Sequence, residues 1–257
     1  MTLDELLRLS LVPAAVWLAS LAGRRWGHAV SGYLGGLPLI GGPITFFLAL
    51  DHGAAFARDS AMVTLGAILG QAAHLMAFAH VGRRARWPLA LAAGWTSFAV
   101  VAAAVAAIEL TPLIALAFAV GGLAAAWRWL PRPRGDAPLP AIPAAELRLR
   151  LVAAFALAVA IIWSAKTFGP VVSGVLLSVP VTGSIMPPFT LALYGPHALA
   201  RLIRGFVVGL SGFTAFFFVL AWGLVSLGTP PAFLAAIVAA LAAVFLASRA
   251  LHVEAPG

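Results

Sequence analysis

The chain has 257 residues, 63% of them hydrophobic and only 9% charged, with a mean hydropathy of +1.04. Soluble domains carry roughly 25% charged residues, so this composition excludes an ordinary soluble fold and predicts an all-α, polytopic integral membrane protein. The absence of cysteine excludes disulfides, thiol catalysis and thiolate metal sites. The net charge of +8 comes from arginines at the ends of apolar runs. That placement reads as a topology signal and predicts no nucleic-acid partner.

Taken in order, nine apolar segments are long enough to span a bilayer: roughly 3–22, 28–50, 57–81, 87–108, 111–130, 146–165, 169–194, 203–227 and 230–250. The opening MTLDELLRLSL carries acids and lacks a basic n-region, so the first run reads as a retained helix. The stretch PRPRGDAPLPAIP at 131–143 is rich in Pro and charge and reads as a linker. The expected organisation is five spans over 1–130, a cytoplasmic linker at 131–145 and four spans over 146–257. On a nine-span layout, Arg8, Arg58 and Lys166 fall on one side and the other thirteen basic residues on the opposite side. The Arg-rich side is then cytoplasmic, with the N-terminus outside and the C-terminus inside.

One segment occurs twice. Residues 27–53 (GHAVSGYLGGLPLIGGPITFFLALDHG) align with 169–195 (GPVVSGVLLSVPVTGSIMPPFTLALYG) at an offset of 142. Gly27, Ser31, Gly32, Pro38 and Gly41 match Gly169, Ser173, Gly174, Pro180 and Gly183. One inserted residue later Phe46, Arg58 and Gly66 match Phe189, Arg201 and Gly209. Five spans is an odd number, so the two copies run in opposite directions and the repeat is inverted. One first-half helix, the fourth or the fifth, is left without a counterpart.

Both copies are broken in the middle. Pro38, Gly41, Gly42 and Pro43 interrupt the first, and Pro180, Gly183, Pro187 and Pro188 the second. The expected restarts are at Pro43 and at Pro187 or Pro188, because proline costs nothing at a first helical position. Paired broken helices in inverted halves are the pattern of a secondary-transporter binding site. Helix N-termini there favour an anionic group, and the hydroxyls of Thr45, Ser178, Thr182, Ser184 and Thr190 add hydrogen bonds. The milder reading is that proline and glycine serve helix packing alone. Ser31–Gly32 and Ser173–Gly174 read as close helix crossings.

Ionisable groups within spans are scarce. His74, with Gln71 one turn earlier on the same face, is either a proton carrier or substrate contact, or a histidine bonded to another helix. Trp95, Thr96 and Ser97 line the same cavity or bond between helices. Trp26, Trp87, Trp127, Trp129 and Trp163 form an aromatic belt. No span has an acid at its centre, so a coupling ion, Na+ or H+, is not specified. No HExxH, GxSxG, Walker loop or paired carboxylate occurs. The histidines lack ligand spacing, so no enzyme, cofactor or metal is expected.

The duplicated SG…P…G…F segment resembles small uncharacterised multi-pass bacterial membrane proteins. The wider arrangement is similar to inverted-repeat carriers with crossed broken helices, such as the bile-acid/sodium symporter and sodium/proton antiporter folds. That likeness is architectural and carries no site residues across. Together these features lead to the expectation of a bacterial inner-membrane secondary transporter for a small anionic or zwitterionic solute, alone or as a homo-oligomer in the lipid bilayer. A non-transporting membrane subunit that assists envelope assembly is the alternative, and a membrane enzyme using His74 as acid–base a third reading.

Overall fold

The structure, a computed structural model, describes Trp17, Trp26, residues 28–133 and residues 144–251. The span expected at 3–22, Gly27 and most of the 131–143 linker lie outside the described residues. So do several side chains on the helix that begins at residue 144, Lys166 among them.

Every described element is an α-helix: α1 at 28–36, α2 Gly41–His52, α3 Ala54–Gly66, α4 Ile68–Val81, α5 Trp87–Ala106, α6 Pro112–Trp129, α7 Ala144–Leu177, α8 Val181–Leu227 and α9 Thr229–Ala250. Backbone polar groups cannot be left unpaired in hydrocarbon, so an apolar chain of this kind becomes helical throughout. Six stretches are long and apolar enough to cross a membrane: His28–His52, Ala54–Val81, Trp87–Ala106, Pro112–Trp129, Thr167–Leu227 and Thr229–Ala250. The protein is a multi-pass membrane protein. The fifth stretch, of 61 residues, would extend about 90 Å if straight. A hydrocarbon core is about 30 Å thick, so this stretch has to fold back on itself.

It does so at glycines. Gly169 (φ 78°, ψ −170°) lies inside α7 and Gly195 (φ 79°, ψ −174°) inside α8, where each turns the chain between two helical runs. Gly53 (φ 89°, ψ 162°) separates α2 from α3 in the same conformation, at 142 residues before Gly195. This region of φ/ψ space is essentially restricted to glycine. The segment expected to begin at 203 therefore starts directly after Gly195, and the one expected at 57 begins at Ala54. The segment expected at 146–165 is instead part of α7, which continues through the Gly169 turn to Leu177.

The helices exchange contacts in a reciprocal pattern. Gly32 packs against the backbone of Leu202, Gly205 and Phe206, and Gly36 against Phe206, Gly209 and Leu210. α1 thus runs alongside α8 in the same direction. A Cβ on Gly174 would lie 2.6 Å from the Ser60 carbonyl oxygen and 2.7 Å from Val63. The Thr64 hydroxyl donates to the Gly174 carbonyl at 3.0 Å. The end of α7 therefore runs alongside α3 just as α1 runs alongside α8. His28, at the start of α1, meets Tyr194 at the far end of the other broken helix, ring centroids 5.0 Å apart.

α6 docks onto this core through Arg204. Its guanidinium donates to the carbonyls of Trp127, Leu130 and Pro131 at 3.2–3.3 Å and lies 4.3 Å from the Trp127 ring. Trp127 is therefore half-buried under an arginine, whereas Trp26, Trp87, Trp129 and Trp163 are exposed.

Candidate functional site

The two breaks are built alike. In the first, the Leu39 N–H donates to the Leu37 carbonyl at 2.8 Å and the Gly42 N–H to the Pro38 carbonyl at 2.8 Å. In the second, the Val181 N–H donates to Val179 at 2.8 Å and the Ser184 N–H to Pro180 at 2.7 Å. A bond spanning two residues closes an inverse γ-turn. Pro180, at φ −78° and ψ 62°, sits in the centre of that conformational well. Each turn is centred on one of the matched prolines, Pro38 or Pro180.

The helices restart at Gly41 and Val181, earlier than the expected Pro43 and Pro187 or Pro188. The reason is local. Once a γ-turn has ended the preceding helix, the next can begin immediately. Pro43 then falls within the first turn of α2, where a proline is tolerated. Pro187 and Pro188 lie inside α8, and for Pro187 a donor from another helix replaces the missing one.

The Gly183 carbonyl is the helical acceptor that Pro187 leaves empty. The buried His74 ring reaches it from α4, Nε2 to O at 3.2 Å. A carbonyl only accepts, so Nε2 carries the proton. One turn earlier Gln71 Nε2 donates to the Ser178 carbonyl at 2.8 Å, at the other edge of the same break. Two side chains of α4 thus satisfy carbonyls that the break and Pro187 leave without helical donors, as a non-helical segment at membrane depth requires. His74 Nδ1 lies beside Gly94, and its ring meets Trp95 edge-on at 6.1 Å. Thr96 and Ser97 donate to the carbonyls of Ala92 and Ala93 in their own helix, and so bond neither between helices nor into a cavity.

The first break has a different wall. A Cβ on Gly41 would lie 3.2 Å from the Phe217 ring and one on Gly42 3.3 Å from Phe216. Phe213 stacks on Phe217 with centroids 4.5 Å apart. Phe217 occupies, against Gly41, the place that His74 occupies against Gly183.

Between the breaks lies a cavity of about 70 Å³, room for a few waters. Leu37, Leu39, Ile40 and Gly41 line it from one side and the run Val179–Gly183 from the other, with Gln71 between them. α2 and α8 both begin at this cavity, so their positive N-terminal ends face it. No charged side chain lines it among the described residues.

No protein family, curated protein or solved structure matches the chain. The site therefore has to be read from its own chemistry. Of the expected site residues, Gly41, Gln71, Pro180, Thr182 and Gly183 line the cavity. Pro38 and Ser178 belong to the turns themselves. Gly42, Pro43, Thr45, Ser184, Pro187 and Thr190 lie on α2 and α8 outside the lining, and His74 stands behind Gly183. Thr45 donates to the Gly41 carbonyl at 2.7 Å, and the buried Ser184 hydroxyl has no partner among the described residues. Ser31, Met186 and Phe206 also line the cavity. Ser31 lies two turns of helix before Pro38, a spacing that could have marked it, although Ser173 at the matching position bonds its own helix at Gly169.

Proposed function

We propose that the protein is a secondary transporter of a small anionic or zwitterionic solute in a bacterial inner membrane, working by alternating access around its two broken helices. The observation that carries this reading is that both breaks border one cavity. Like-built γ-turns at Pro38 and Pro180 aim two helix N-termini into it, an arrangement that favours a carboxylate or similar group.

Inverted repeats are part of the proposal. In it, Gly169 and Gly195 divide the long apolar stretch, giving spans 144–168, 170–194 and 196–227; with the segment at 3–22, nine spans result. The reciprocal packing of α1 on α8 and of the end of α7 on α3 supports the inversion. α5 then corresponds to α9, and α6 is the helix without a counterpart.

A second reading has an observation of its own. The cavity is small and the Gln71 and His74 side chains beside it are bonded to backbone carbonyls, as suits a packing role in a non-transporting subunit. Single cysteines distinguish the two, since the chain has none of its own. Leu39→Cys and Thr182→Cys place a thiol on each wall. A transporter predicts labelling of both by a membrane-impermeant maleimide, with access from the two sides of the membrane in alternation. If both thiols stay unlabelled from either side in folded protein, the transport reading falls.

A further inference from the structure

Away from the cavity, the loop joining α4 to α5 carries Arg83, Arg84 and Arg86, all exposed. Among the described residues no carboxylate pairs with them; Asp59 pairs with Arg58 instead. Arg84, Arg86, Trp87 and Pro88 form one wall of a groove of about 490 Å³ whose other wall is Leu191 and Ala192. The loop is seated against that wall, because Gly82 packs on the side chains of Leu191 and Leu199. The groove thus lies beside the Gly195 turn, at an end of the membrane-crossing helices. Below it α5 turns an apolar face outward, with Leu89 62% and Val100 65% exposed.

The chemistry is graded along one line. Two guanidiniums, which bind phosphate oxygens through paired N–H donors, lie beside an indole that is 43% exposed and suited to the interface. Next comes an apolar helix face as long as an acyl chain. The connection between α8 and α9, at Gly228 and Thr229, carries no charge. A soluble anion would use the arginines and leave the apolar face and the indole unexplained.

We propose that this groove binds an anionic phospholipid, its phosphate held by Arg84 and Arg86, Trp87 at the ester level and its chains along α5. This is independent of what the central cavity does. The full chain, purified in a neutral detergent, would be titrated with phosphatidylglycerol, with phosphatidylcholine of the same chains and with inorganic phosphate, bound lipid being read by native mass spectrometry. The expected result is retention of phosphatidylglycerol over phosphatidylcholine. Arg84→Ala with Arg86→Ala should weaken it about 25-fold, about fivefold per arginine, while Arg148→Ala, an exposed arginine outside the groove, should leave it unchanged. The arginines are exposed, so the variant should keep its melting temperature. If the double variant aggregates, the Arg84→Gln single variant is read in its place. Equal retention of the two lipids, wild-type affinity in the variants, or displacement by inorganic phosphate at equal concentration would each overturn the proposal.

Discussion

Pro187 has no N–H to give the carbonyl of Gly183, and His74 gives one from another helix. The pairing makes a specific demand on energetics. Replacing His74 by Phe keeps a ring but strands a buried carbonyl, at a cost of about 1–3 kcal/mol. Pro187→Ala restores the local donor, so in the His74→Phe background it should recover about 1 kcal/mol or more. Thermal unfolding in detergent of the two single variants and the double variant checks this. Additive losses would mean that the two residues are not coupled. Gln71→Leu should cost about 1 kcal/mol by the same measurement, as Ser178 loses its side-chain partner. In the sequence, His74 was conspicuous as a titratable group within a span, but its partner was not. The partner is a backbone atom 109 residues away, exposed by a proline whose effect falls four residues upstream.

Among the elements, the breaks were legible and their details were not. Two prolines at an offset of 142 fixed where each helix stops. Which proline terminates and which is tolerated depends on who supplies the missing donors, and that depends on tertiary neighbours. For Pro187 the donor is His74, whereas Pro43 lies in the first turn of α2. The boundary between α3 and α4 at Ala67 had no such marker, because its φ of −72° and ψ of −4° is open to any residue. The glycine turns are testable one at a time. Nothing lies within 4 Å of the position a Cβ would take on Gly53 or Gly195, so substitution there meets backbone strain alone. Gly53→Ala and Gly195→Ala should each destabilise by about 1–3 kcal/mol. Thermal unfolding reads this, and unchanged melting would mean that the turns can adopt another conformation. Arg204→Met removes the donors that hold the end of α6. It should cost about 1.5–3 kcal/mol, the range for hydrogen bonds to a charged group, and raise protease sensitivity after Trp129.

For the whole molecule, composition alone announced a helical membrane protein. The reciprocal packing could not be read from it, since crossings such as Gly174 on Ser60 depend on how the helices assemble. The proposed topology places the Gly53 turn outside and the 131–143 linker inside. Alkaline phosphatase fused after Gly53 should then be active, and a fluorescent protein inserted in the linker should fluoresce. The reverse pattern would invert the arrangement, and equal signals would dissolve it.

The unequal walls of the central cavity have a consequence for wetting. The wall at Pro38 is backed by Phe213, Phe216 and Phe217, a surface from which a thin film of water retreats. The wall at Pro180 carries the Gln71 amide and, behind Gly183, the His74 imidazole, each bonded to a backbone carbonyl, polar groups that water can also bridge. Water entering this space is expected to settle at the α4 side before it reaches the phenyl rings. The paired breaks, alike in backbone, would then act as a sponge and a seal.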